Sequence, residues 1–148
     1  HGFDLRGEVI LNGRNILQLP AESRRVGVLF QDALLFPHLS VGDNLAFGLA
    51  RNVRGAARGA AVAEALAQAG LEGFAHRDPA TLSGGQRARA ALMQALLARP
   101  EALLLDEPFS RLDAGLRAEI RGFVFDHIRA QNIPALMVHM TPVMPMPQ

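Results

Sequence analysis

The sequence predicts an α/β fold with a mostly parallel sheet and a small helical insertion. Three observations carry this. Short apolar runs, Arg25–Phe30, Leu103–Leu105 and Ala135–Val138, alternate with stretches of helix length. The second run ends in two adjacent carboxylates, Asp106 and Glu107, as a buried strand does when it delivers acids to its C-terminal edge. The helix before it opens through Ser83-Gly84-Gly85. A helix entered that way aims free N–H groups and a hydroxyl outward, toward an anionic phosphate.

Gly7–Leu11 alternates and then meets Asn12-Gly13, which reads as a strand closing a hairpin. Leu19-Pro20 and Ala21–Arg25 read as a connector. Arg25–Phe30 reads as a buried strand ending at Gln31-Asp32. Ser40 is a good N-cap, and Asp43 places a carboxylate in the first turn of a helix expected from Val41 to about Leu49. Ahead of it, Leu35, Phe36 and Leu39 admit two readings, core packing or a partner-facing surface. Arg51–Arg58 carries Gly and Arg and reads as a loop. Ala60–Ala69 reads as a helix with Val62, Leu66 and Ala69 on one face and Gly70 as its stop. His76 is expected at the surface.

Gln86–Ala98 contains no Gly or Pro and reads as a helix. Ala90, Leu92, Met93, Leu96 and Leu97 form its core stripe, with Arg87 and Arg89 on the solvated face. Asp113 is expected to N-cap a helix running to about Gln131. Pro134 opens the last apolar run, a further parallel strand.

Composition excludes several classes. The 148 residues suffice for one domain with a real core, and 49% hydrophobic with 20% charged is an ordinary globular balance. The net charge is +1 with no basic stripe, so nucleic acid is not an expected partner. No apolar run approaches the roughly 20 residues that span a bilayer, and no signal peptide is seen. The absence of Cys rules out a disulfide scaffold or Cys-ligated zinc. All 15 basic residues are Arg, so the lysine of a Gly-x-x-x-x-Gly-Lys-Ser/Thr phosphate loop has no counterpart here.

Leu82-Ser83-Gly84-Gly85-Gln86-Arg87 resembles the signature motif of ATP-binding-cassette (ABC) ATPases, and Ala102–Glu107 resembles their Walker B strand with its catalytic glutamate. Val28-Leu29-Phe30-Gln31-Asp32, followed by Leu35-Phe36-Pro37-His38-Leu39-Ser40-Val41, resembles the importer branch, of the thiamine, molybdate, iron and polyamine type. The resemblance covers roughly Gly7 to Val138. It implies a P-loop NTPase-like sheet with an inserted helical subdomain at about 41–98. The phosphate loop and an adenine-stacking aromatic would precede His1, so the chain is expected to be an N-terminally truncated, single partial domain.

The resemblance also assigns roles. Asp106 would hold Mg²⁺, directly or through water. Glu107 would be the base that polarises the attacking water. Gln31 would touch the Mg²⁺ shell and that water. Ser83, Gly84, Gly85 and Gln86 would bind the γ-phosphate of an ATP held by a second ATPase subunit. Ser110 and Asp113 would lie in the D-loop that crosses that homodimer interface, although a helix cap already suffices to explain Asp113. Adjacent strand residues point to opposite faces, so the strand must end or bend near Asp106 for both acids to reach one site. Implied partners are membrane-spanning permease subunits and, indirectly, a solute-binding protein, at the cytoplasmic face of the inner membrane.

The end departs from the family. Where Val-Thr-His-Asp is expected, the chain reads Val138-His139-Met140-Thr141, and Met140 takes the switch-histidine place. His139 as CAC followed by ATG and ACN contains, one frame over, CAT GAC, or His-Asp. The tail after Val138 is therefore expected to be a frameshifted copy of the family segment, which resequencing tests. Two other readings stand beside a transport ATPase. One is an ABC ATPase of DNA repair or translation, disfavoured by the importer-like 35–41 stretch. The other is an inactive truncated remnant, which predicts feeble ATP affinity.

Overall fold

The computed structural model describes residues 10–11, 13–15, 25–29, 35–106 and 112–138. The expected hairpin pairing is present: strand β1, Ile10–Leu11, pairs antiparallel with β2, Arg14–Asn15, with Leu11 opposite Arg14 in register. Gly13 has φ +78°, a left-handed conformation that a two-residue hairpin turn demands and glycine adopts freely. The rest of that strand and the 16–24 connector lie outside the described residues.

Three parallel strands form the second sheet, in the order β3-β4-β5. They are β3, Val26–Leu29; β4, Ala102–Asp106; and β5, Ala135–Val138. Strand β4 takes the centre, paired on both sides. Leu29, Leu105 and Met137 share one register row, and the buried Leu29, Leu103 and Leu105 mark the face packed on the core. The opposite face carries the row Val28, Leu104 and Leu136, with Val28 38% and Leu136 65% exposed. Arg25–Phe30 was expected to be buried. Of its described residues only Leu29 is, since no described layer covers Val28.

Among the described residues there are four α-helices: α1, Val41–Phe47; α2, Gly55–Gln68; α3, Gly84–Leu97; and α4, Ala114–Ala130. Ser40 caps α1 as expected, its Oγ accepting from Asp43 N at 3.1 Å. The helix ends two residues before Leu49. There it crosses α3 so closely that a Cβ on Gly48 would lie 2.3 Å from the Gln94 carbonyl oxygen.

Helix α2 starts five residues earlier than Ala60, so part of the expected loop is helical. Its N-cap, Arg54, makes no side-chain cap bond, and burial of Val62, Ala65 and Leu66 holds the helix instead. The Gly70 stop is met: Gly70 has φ +69°, and the Gly70 and Leu71 N–H groups donate to Ala67 and Leu66 carbonyls, which closes the exposed helix end. Asn132 ends α4 in the same way, with φ +54° and Ile133 N donating to Ile128 O. Arg99 does so for α3 at φ +51°, and the Arg25 guanidinium holds its carbonyl at 2.9 Å. The β3 and β4 starts are thus tied, and Glu101 N donates to Arg25 O at 2.8 Å. The core lies between these helices and one sheet face, with Leu45, Leu71, Leu92, Leu103, Leu105 and Ile120 fully buried. Each contributes roughly 1.5–3 kcal/mol.

Candidate functional site

The chain is fixed before it reaches Ser83. Asp78 caps a single 3₁₀ turn, Pro79–Thr81, accepting from Ala80 N at 2.9 Å. The Arg77 guanidinium donates to Thr81 O at 3.1 Å and to its Oγ1, and lies 4.2 Å from the Phe74 ring centroid. Leu82 is buried. Ser83 therefore enters α3 from a held, extended conformation.

Ser83 and Gln86 form a reciprocal capping box. Ser83 Oγ accepts from Gln86 N at 3.2 Å, and Gln86 Oε1 accepts from Ser83 N at 2.9 Å. The helix starts two residues before Gln86, the expected start, and takes in Gly84 and Gly85. They are its first two residues, and neither has a positive φ. Their N–H groups belong to the set that a helix N-terminus leaves without an intrahelical partner. Ser83 and Gly84 are exposed, and Gly85 is buried.

Asp113 caps α4 as expected, its Oδ1 accepting from Leu116 N at 2.9 Å. Arg117 reaches back to Leu112 O at 3.0 Å, just as Arg87 reaches back to Leu82 O at 3.3 Å. The two capped N-termini lie side by side. A Cβ on Gly84 would be 3.1 Å from Leu112 Cδ2, and one on Gly85 3.0 Å from Leu116 Cδ1. Asp106 is the last described residue of β4 and is exposed. Gln31, Glu107 and Ser110 lie outside the described residues. The structure thus joins Ser83–Gln86 to Asp113 and sets Asp106 at the C-terminal end of the central strand.

Two arginines depart from expectation. Arg87 and Arg89 are half-buried rather than solvated, because α4 packs along that side of α3. Arg89 is only 3.9 Å from Glu119, a loose ion pair. Of the apolar residues before α1, Leu35 packs against the core. Phe36 is exposed and stacks edge-on with the exposed Phe47, ring centroids 4.8 Å apart. Nearby, α1, α2 and the 72–76 loop border a groove of about 670 Å³, lined among others by Asp43, Arg58, Val62 and Glu72. His76 is exposed, as expected.

Asn44 escaped the sequence reading. It is fully buried, accepts from Phe36 N at 2.7 Å, and donates to the Phe36, Leu39 and Ser40 carbonyls. Its own carbonyl accepts from Gln94 Nε2 at 2.8 Å. One side chain therefore folds the 36–40 turn onto α1, and Gln94 ties that unit to α3. Its only sequence signal was a polar residue at a core-facing helix position, between Val41 and Leu45.

The family model described as ABC transporter matches residues 4–110. The chain belongs to the ABC transporter family. That match runs through both Leu82–Arg87 and Ala102–Glu107. The chain is similar to the uncharacterized ABC transporter ATP-binding protein YnjD of Escherichia coli, with 57% identity over 92% of this chain and 63% of that protein. It is also similar to the thiamine import ATP-binding protein ThiQ of Jannaschia sp., with 46% identity over 80% of this chain and 52% of the relative. Among solved structures, cbiO1 of Clostridium perfringens, part of the ABC transporter complex cbiONQ, superposes with a TM-score of 0.77 at 26% identity, covering 92% of this chain and 57% of cbiO1. The chain thus spans between half and two thirds of these relatives. The α/β, parallel-sheet expectation agrees with that ABC transporter fold. No helix among the described residues is long and apolar enough to cross a membrane.

Proposed function

We propose that this chain is part of an ATP-hydrolysing subunit that powers solute transport across a membrane through an ABC transporter. The observation that supports it most is the capped Ser83–Gln86 helix start set beside the Asp113 cap, in a family member whose central parallel strand ends at Asp106. The N–H groups of Gly84 and Gly85 and the Ser83 hydroxyl suit the γ-phosphate of ATP carried by a second copy of the subunit. Ser110 and Asp113 then face that copy.

Asp106 presents an exposed carboxylate at a strand end, a hard oxygen donor of the kind Mg²⁺ accepts. The bound ion supplies neutralisation of phosphate charge. Glu107 takes the proton of the attacking water, and Gln31 orients that water. The exposed Phe36–Phe47 pair and the adjoining groove suit an apolar element of a membrane-spanning permease subunit. On this reading the protein works peripherally, on the cytoplasmic face of the inner membrane. A solute-binding protein acts only through the permease, and the permease side sets the solute. Relatives named for thiamine, Fe(3+) and sulfate/thiosulfate import favour a small imported solute.

The test supplies what the 148 residues do not contain. The Lys-bearing phosphate-loop segment of the Escherichia coli relative is fused ahead of His1, and ATP turnover and dimerisation are measured. The fused protein hydrolyses ATP and the chain alone does not. Glu107→Gln lowers turnover by roughly 10²–10⁴-fold and leaves an ATP-dependent dimer on size exclusion. Equal turnover with and without Glu107 overturns the proposal.

A further inference from the structure

Gly84 and Gly85 invite the explanation that glycine lets a phosphate approach. The backbone points elsewhere. Neither residue has a positive φ, so the conformational freedom of glycine is unused. In the first turn of a helix, alanine would be tolerated or preferred. Something outside the helix must therefore exclude a methyl group.

That something is α4. The missing Cβ of Gly85 points at Leu116 Cδ1, 3.0 Å away, with Leu116 Cδ2 at 3.5 Å and Ile120 Cδ1 at 3.6 Å. The missing Cβ of Gly84 points at Leu112 Cδ2, 3.1 Å away. Leu112 and Leu116 sit one on each side of the Asp113 cap, and Arg117 pins the Leu112 carbonyl at 3.0 Å. The capping box pins Ser83 and Gln86 on the other side.

From this we infer that the two glycines are kept bare for Leu112 and Leu116, which act as positioning residues. Their side chains fill the two notches and fix where the Gly84 and Gly85 N–H groups stand relative to residues 112–113. This rests on the reading above for what those N–H groups hold. One rigid seat then serves both the phosphate-facing turn and the segment proposed to face the second subunit, so neither moves without the other.

The sign of one substitution decides the matter, measured on the chain without nucleotide. Gly85→Ala lowers the melting temperature by about 5 °C or more, because the methyl overpacks Leu116. In a Leu116→Ala background the same Gly85→Ala becomes neutral or stabilising, since the notch is empty and helix propensity is what remains. A second, milder pair reads the positioning directly. Leu112→Ala shifts the Gly84 and Gly85 amide resonances, and Leu112→Met, of similar volume, returns them toward the parent values. Equal melting shifts in both backgrounds, or resonances that do not respond to Leu112→Ala, overturn the inference. Neither measurement needs ATP, so a negative Glu107→Gln result sinks the ATPase reading and leaves this one legible.

Discussion

Asn44 carries more of this structure than any other polar side chain described. It makes four hydrogen bonds while fully buried, and its removal takes away the partner of the Phe36 N–H and of three carbonyls at once. Asn44→Ala is expected to cost about 2–3 kcal/mol in urea unfolding, with the m-value unchanged. Ser83 is simpler. Ser83→Ala loses half of the capping box and about 1 kcal/mol, a change that Ser83→Asp restores in stability. For the proposed ATPase the same two variants part company, because a carboxylate at the site proposed for the γ-phosphate repels it. In the fused protein Ser83→Asp is expected to hold its melting temperature and lose ATP-dependent dimerisation. The Ser40 and Asp113 caps were legible because each is a small polar residue just before a helical run. Asn44 was not, since its partners lie in a turn whose path depends on the folded backbone.

Helices show where local signals run out. Helix α4 was anticipated within a residue at each end, from the Asp113 cap and a run to about Gln131; the structure adds that Asn132 closes it in a left-handed conformation. The start of α2 was missed, because Arg54 gives no cap bond and Gly55 and Gly59 lower the propensity of its first turns. Arg87 and Arg89 were placed in solvent because nothing near them in sequence announces that α4 lies across that side of α3. Asp113 offers a test at this scale. Asn caps a helix as well as Asp, so Asp113→Asn is expected to keep α4 and its stability within about 0.5 kcal/mol. Asp113→Ala is expected to lose about 1 kcal/mol. If Asp113→Asn also preserves the ATP-dependent dimer of the Glu107→Gln fused protein, the residue serves only as a cap.

At the scale of the molecule, the parallel sheet followed from three apolar runs with helices between them, whereas the strand order came only with the structure. The strand-end placement of Asp106 came with the apolar runs. What the sequence could not show was which sheet face no described element covers. Val28, Leu104 and Leu136 line one row of that face, and a parallel sheet is ordinarily covered on both. Leu136→Lys is expected to leave melting within about 1–2 °C, lower the binding of an apolar dye and raise solubility, because the side chain is already mostly in water. A large drop in stability would mean that the row is packed in solution.

The lateral neighbours of β4 also bear on how the chain is made. Arg25 and Glu101, which meet at the start of that pairing, are 76 residues apart. During synthesis, β3 leaves the ribosome long before its partner exists. The helices between them are the part able to organise while it waits, and chaperones have that interval in which to intercept an unpaired edge.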